Sequence, residues 1–246
     1  MSQAPNAIAN TKDFEFAALN HAANYRKALL NEFAEFLRGD VVEVGAGIGQ
    51  ITESLSRMSP VKRVVAVEPD PEFCVRHRLQ FPSHDLIEGT ATDLPPDLEW
   101  DAILSVNVLE HIDEHEAELK LYASMLRSRK GYLCLFVPAC PEIYSPIDED
   151  FGHFRRYRRT ELRHLLQQAG FEILRLSYFN FVGYFAWWLN FCLLKKRRFE
   201  PAKVLFFDRA IFPLVHAFER KIYRPPFGQS LLAVAQSTGT PKTVGL

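Results

Sequence analysis

Apolar and polar positions along this chain follow two alternating periods. Short apolar runs that read as strands occur at Val41–Val44, Arg63–Glu68, His84–Glu88, Trp100–Val106 and Gly131–Val137, bounded by the Gly, Pro, Asp and Ser that close strands. Between them the apolar residues shift to helical spacing, as in Ile51, Leu55 and Met58 and again over Glu114–Arg127. Ahead of the first strand, Phe16, Leu19, Ala22, Ala23, Leu29, Leu30, Phe33 and Leu37 predict a helical lead-in from Phe14 to about Leu37, behind a polar stretch over 1–12. Arg38-Gly39-Asp40 stops that run. Strand alternating with helix implies an α/β fold, a parallel sheet covered on both faces. Ligands of such sheets bind beyond the carboxyl ends of the strands.

That rule selects the residues that matter. The first strand runs through Glu43 into Gly45-Ala46-Gly47-Ile48-Gly49 and then into a helix. Glycines are needed there if backbone is to approach a nucleotide-like ligand closely. The second strand ends in Val-Glu-Pro-Asp, with Glu68 about 20 residues past the turn, where an acid can accept hydrogen bonds from ribose hydroxyls. Asp93, in Thr92-Asp93-Leu94-Pro95, follows the third strand and suits the amino group of a base. Asn107-Val108-Leu109-Glu110-His111 follows the fourth, and Pro138-Ala139 the fifth.

Composition adds one asymmetry. The 246 residues are 48% hydrophobic, enough for one sizeable core, and the net charge is −1. Residues 1–150 nevertheless hold 13 Lys+Arg against 25 Asp+Glu, whereas residues 151–246 hold 16 against 5. The C-terminal part is a basic module that calls for an anionic partner. Cys74, Cys134, Cys140 and Cys192 form no CxxC pair and read as buried thiols in a reducing compartment. Met1–Thr11 shows no secretory pattern. The expected location is cytoplasmic, with or without attachment to the cytoplasmic face of a membrane.

A dinucleotide fingerprint would place its third glycine at 50, which is Gln50 here. The chain instead carries E-x-G-x-G-x-G, Val-Glu-Pro-Asp, the acid in Thr-Asp-Leu-Pro and Leu-Glu-His-Ile. This combination, over roughly residues 35–180, resembles the class I S-adenosyl-L-methionine-dependent methyltransferases, and within them the small-molecule and quinone or lipid methyltransferases. A NAD(P)-dependent oxidoreductase and a non-catalytic lipid-binding module are the alternatives.

The resemblance implies a doubly wound, mainly parallel seven-stranded sheet in a single domain over 1–246. Its parts are a helical lead-in at 1–38, a cofactor-binding core at 39–178, a helical insert at 179–229 between strands six and seven, and an antiparallel closing strand at 230–238. Strand six fits Phe171–Tyr178 and strand seven Ser230–Gln236. It also implies a cofactor, S-adenosyl-L-methionine, held by Glu43, Gly45, Ala46, Gly47 and Gly49 at the turn. Glu68 would take the ribose, Pro69 the adenine face, Asp93 and Leu94 the adenine edge, and Asn107 and Val108 would lie beneath the sulfonium. The acceptor would be a small molecule or a lipid-linked one, methylated at O, N or C. His111 and His153, the latter in Gly-His-Phe-Arg-Arg-Tyr, are the candidate catalytic bases.

His111-Ile112-Asp113-Glu114-His115 also matches H-x-x-E-H, a zinc pattern that requires both histidines on one face of a regular helix. Because His111 directly follows a strand end, no metal is expected from it.

The insert opens with the uncharged, aromatic run Tyr178–Leu194 and then Lys195-Lys196-Arg197-Arg198. A helix of about 16 residues is about 24 Å long, too short for the ~30 Å hydrocarbon core. It suits an in-plane helix at an anionic membrane surface, or a lid or dimer interface. A second stripe, Val204, Phe207, Ile211, Val215, Phe218 and Ile222, is interrupted by Pro213. Arg155, Arg156, Arg158, Arg159 and Arg163 read either as a solvated helix face or as a phosphate site. They come without a base-reading motif, so nucleic acid is not an expected partner. The oligomeric state is open.

Overall fold

The computed structural model describes residues 22–221, 223 and 225–238. The stretch 1–12, the lead-in positions Phe14, Phe16 and Leu19, and Ile222 lie outside them. Seven strands form one sheet in the order β3-β2-β1-β4-β5-β7-β6. Their ranges are β1 Gly39–Val44, β2 Val61–Glu68, β3 Asp85–Glu88, β4 Ala102–Val106, β5 Tyr132–Pro138, β6 Phe171–Phe179 and β7 Ser230–Ser237. Neighbours pair in parallel except β7, which runs antiparallel to both β5 and β6.

Alternate strand residues feed two apolar layers. Val42, Val44, Ile103, Leu133, Leu135 and Val137 face one, packed by Leu119 and Tyr122 of α4 (His115–Met125) and by Leu162, Leu165 and Leu166 of α6 (Arg159–Gln168). Val41, Ala102, Leu104, Cys134 and Phe136 face the other, against Leu29, Leu30 and Phe33 of α1 (Ala23–Phe33) and Leu55 of α2 (Gln50–Ser56). Helix α3 (Pro71–Gln80) follows β2, and the short α5 (Pro146–Asp150) follows β5. Because β1 lies between β2 and β4, the chain reverses its winding there. A crevice therefore opens at the carboxyl ends of β1 and β4.

The insert departs from its expected form in two ways. Helix α7 (Phe181–Trp187) begins only after β6 has continued to Phe179, and it widens into a π-helical stretch over Trp188–Leu193. Pro213 interrupts nothing: α8 (Pro201–Phe206), a second π-helical stretch (Phe207–Ile211) and α9 (Phe212–Lys221) run on without a gap. Proline lacks an N–H and crowds the carbonyl four residues back, and a wider turn just ahead of it absorbs both defects. The expected stripe holds at Val204, Phe207, Ile211 and Val215, which are half-buried, and ends before Phe218. Asp208, Phe212 and Glu219 are buried, whereas Phe218 is exposed.

Two buried acids lie beside that stripe, and each caps another helix. The Asp208 carboxylate accepts from the backbone N of Asn24 (3.1 Å) and Tyr25 (2.8 Å) in the first turn of α1. The Glu219 carboxylate accepts from Asn180 N (3.1 Å) and Phe181 N (2.6 Å) at the start of α7. Helix starts leave such N–H groups without intrahelical partners, so a buried acid is retained where it meets them. Through Trp187 and Phe191 on one layer and Phe212 on the other, the insert closes over the end of the sheet.

Candidate active site

The glycine turn lies at the mouth of this crevice. Gly45 N and Ala46 N donate to Val67 O at 2.9 and 3.0 Å, which binds the turn to the neighbouring strand. Gly45 has φ 76, and a Cβ on it would come 2.2 Å from Val108 Cγ2. Backbone conformation and close approach both demand glycine there.

The carboxylates at the strand ends support the turn from behind. Glu68 accepts from Gly47 N (2.8 Å) through one oxygen and from Asp70 N (2.9 Å) through the other. Thr52, in the first turn of α2, donates its hydroxyl to Glu43 at 2.6 Å. Burial raises the Glu43 carboxyl to about 8; the Thr52 hydrogen bond works against this and the charge of Glu68 adds to it.

A cavity of ≈ 290 Å³ brings most of the expected residues together: Glu43, Gly45, Ala46, Glu68, Pro69, Asn107, Val108 and His111 all line it, with Asp70, Ile48 and Phe73. Gly47 and Gly49 stand in the turn behind these. Gly49 caps α2 with φ 88, and a Cβ on it would meet His77 Nε2 at 2.6 Å. Asp93 and Leu94 stand apart from the cavity lining. The Asp93 carboxylate folds back on Thr90, accepting from its N (2.7 Å) and hydroxyl (3.1 Å), and Leu94 is buried in the core. Their loop is tied to the end of β2 by Gly89 N donating to Glu68 O at 2.9 Å.

A second cavity, of ≈ 450 Å³, shares Tyr25, Asn107 and Phe151 with the first. Its walls come from the insert, through Trp187, Phe191, Phe199, Val204 and Phe207, and Lys196, Arg198 and Lys203 reach its lining. The arginine cluster before α6 contributes little to it. Arg156 is buried on Asp148 (2.8 Å) and over the Trp187 ring (4.4 Å), and Arg155 donates to Ile112 O (2.7 Å). Arg158 pairs with Glu142 and Arg159 lies over Tyr178, while Arg163 is exposed.

His111 lines the first cavity and His153 the second, and their rings meet edge to face at 4.6 Å between centroids. Glu110, fully buried, sits beside them. His153 Nδ1 lies 3.1 Å from Asp148 Oδ1, so that nitrogen carries the hydrogen. Burial opposes the charge on Asp148, but the hydrogen bond from His153 and the Arg156 guanidinium hold it below the usual carboxylate range. The other histidine of the H-x-x-E-H pattern is engaged elsewhere: His115 Nδ1 lies 2.9 Å from the Tyr157 hydroxyl.

Three lining residues, Tyr25, Phe151 and Glu110, had no expected role, and Arg156 was expected as part of a helix face or phosphate site. Tyr25 packs on Phe136, Phe179 and Phe212 between the two cavities, and nothing in an amphipathic lead-in distinguishes it from its neighbours. Phe151 and Arg156 belong to a loop whose path depends on β5 and the insert. Glu110 adjoins His111, and its complete burial is the signal that a sequence does not carry.

A family model described as a methyltransferase domain matches residues 18–176, well over half of the chain. Among solved structures, the fold is similar to the complex between the Haloferax volcanii Trm112 methyltransferase activator and a methyltransferase, with TM-score 0.62, 17% identity and coverage of 96% of this chain and 99% of that one. It is similar to the DhpI–SAH complex, with TM-score 0.59, 17% identity and coverage of 94% and 93%. It is also similar to a SAM-dependent methyltransferase of Archaeoglobus fulgidus, with TM-score 0.55, 16% identity and coverage of 86% and 92%.

Proposed function

Because the chain belongs to the class I S-adenosyl-L-methionine-dependent methyltransferases, we propose that it methylates an amphipathic acceptor with an apolar body and an anionic group, held beneath the insert. The observation that carries this reading is the ≈ 450 Å³ cavity, aromatic in its walls and lined by Arg198 and by Lys196 and Lys203, which share Glu200 (3.2 and 2.7 Å), and it meets the cofactor crevice at Tyr25, Asn107 and Phe151.

The crevice suits the cofactor. Glu68 and Asp70 offer carboxylates to a cationic ligand with ribose hydroxyls, Glu43 braces the turn through Thr52, and Ile48 and Phe73 offer apolar surface to the base. When bound, the cofactor supplies a methyl group on a positively charged sulfur. The protein then has to align the acceptor and exclude water, which can lower the barrier by several kcal/mol. His111 and His153, one in each cavity, lie where the cavities join, beside the acceptor's reacting group.

A second feature favours a lipid-linked acceptor over a freely diffusing one. The insert buries Trp187 and Phe191 but exposes Phe185, Trp188, Leu189, Leu193 and Leu194, next to Lys195–Arg198. No helix among the described residues is long and apolar enough to cross a membrane. In-plane contact with an anionic surface uses both the apolar face and the basic run.

The test is transfer of labelled methyl from S-adenosyl-L-methionine into a total cell extract split into lipid and aqueous fractions. Label in an acidic lipid fraction is the expected result. Label confined to uncharged aqueous products overturns the acceptor class, and tight vesicle binding without any transfer would favour a non-catalytic lipid-binding module.

A further inference from the structure

Glu110, His111 and His153 each present one ligand atom, and the three atoms lie within 4.8 Å of one another. We propose that they form a divalent-cation site whose open positions face the acceptor cavity and take an oxygen of a hydroxyl-bearing acceptor. The inference rests on the methyltransferase reading for its purpose, but not for its geometry.

The donor set is two imidazoles and one carboxylate, the combination that catalytic zinc and non-haem iron sites use when they leave positions open for substrate. Ligands about 2.1 Å from a tetrahedral metal are separated by roughly 3.4 Å. His153 Nε2 and Glu110 Oε1 are 4.0 Å apart and the three atoms span no more than 4.8 Å, so side-chain rotation has to draw the set together on the cation. The His153 ring is oriented for this role. Asp148 takes the hydrogen on Nδ1, which turns the lone pair of Nε2 toward the Glu110 carboxylate. A carboxylate behind a ligating histidine is the usual outer partner of a metal site, because it fixes the tautomer and strengthens the donor. Asp148 is itself fixed by Arg156 and by Ser145 N at 2.9 Å.

The backbone holds the two halves of the site together independently of those side chains. A 3-10 turn over Leu109–His111 follows β4, and Phe154 N donates to Glu110 O at 2.8 Å. Tyr144 donates its hydroxyl to His153 O at 2.7 Å. Glu110 and His153 line the acceptor cavity while His111 lines the cofactor crevice, so a cation among them sits where acceptor and methyl donor must meet. The H-x-x-E-H pattern therefore names one correct histidine and the wrong partner: the second ligand is His153, 42 residues on, in place of His115.

Co²⁺ titration of the metal-stripped full chain, followed by visible absorption and by calorimetry, tests this. One equivalent per chain is expected, with affinity reduced at least tenfold in His111→Ala and in Glu110→Gln. Asp148→Asn, which touches no cation directly, should cost about 10–100-fold. S-adenosylhomocysteine binding, measured in parallel, reports on folding and on the methyltransferase reading. A chain that binds S-adenosylhomocysteine but gives no stoichiometric Co²⁺ signal overturns the cation site and leaves that reading standing. A Co²⁺ signal unchanged in all three variants also overturns it, by placing the cation elsewhere.

Discussion

The Oε2 of Glu68 lies 2.8 Å from the backbone N of Gly47. The acid at the end of β2 thus supports the glycine turn at the end of β1 as well as facing the crevice. Glu68→Ala should weaken S-adenosyl-L-methionine by about 10–100-fold, because a charged acceptor of hydrogen bonds is worth roughly 1.5–3 kcal/mol. Glu68→Gln, which can still accept from Gly47 N, should lose less. Calorimetry showing wild-type affinity in the alanine variant would place the ribose elsewhere.

Glu43 should make stability fall as pH rises. Its folded carboxyl, raised to about 8 by burial, keeps a proton that the unfolded chain releases near 4.5. The folded state therefore binds the extra proton between those values, and each pH unit in that window costs up to about 1.4 kcal/mol. Burial is the main cause of this shift, the Thr52 hydrogen bond opposes it, and the charge of Glu68 adds to it. Urea unfolding from pH 5.5 to 8.5 should show the decline in the wild type and a flatter profile in Glu43→Gln. Parallel profiles would refute it.

His77 should act in the opposite direction on the acid side. It is fully buried behind the turn, with Nδ1 3.3 Å from Gly47 O and Nε2 2.9 Å from His84 Nδ1, and His84 reaches Glu53 at 3.0 Å. Burial, then the neighbouring His84, lowers its pKa from the ordinary 6.5. Below 6.5 the unfolded chain takes a proton that the folded state refuses, so this contribution is lost as pH falls. Thermal unfolding of His77→Gln should show a weaker decline below pH 6.5 than the wild type; an equal decline would count against this role of His77.

Asp208 offers a test of the insert as a structural part. Asp208→Ala removes the acceptor for Asn24 N and Tyr25 N, and a lost helix cap costs about 0.5–2 kcal/mol. Because Tyr25 divides the two cavities, the variant should also raise KM for the acceptor. A midpoint unchanged in thermal denaturation would mean that α1 is held without this cap.

Charge removal from the basic run tests the membrane contact, together with the two cavity-lining residues Lys196 and Arg198. Lys195–Arg198 replaced by Ser should release the chain from anionic vesicles in a flotation assay while cofactor affinity stays the same. Vesicle binding that survives would end the membrane reading.

Much of the core was legible from period and punctuation. Every expected strand lies within two residues of an observed one. Local chemistry was legible too, since a turn that demands glycine declares it, and Glu43, Gly45, Glu68, Asn107 and His111 do share one cavity. The insert was not. Its stripe held at Val204, Phe207, Ile211 and Val215 but failed at Phe218, and nothing in it announced that Asp208 and Glu219 cap α1 and α7, partners 184 and 39 residues away.

By itself, then, the sequence determined what depends on short-range pattern: an alternating α/β order, a glycine-forced bend, and acids at successive strand ends. Tertiary structure alone decided which distant groups meet. His115 is turned onto Tyr157, 42 residues away, and His153 is carried to Glu110 and His111 by a loop anchored at Glu110 O. Hydrophobic periodicity records which face of an element is covered, but it holds no information about which side chain will cover it.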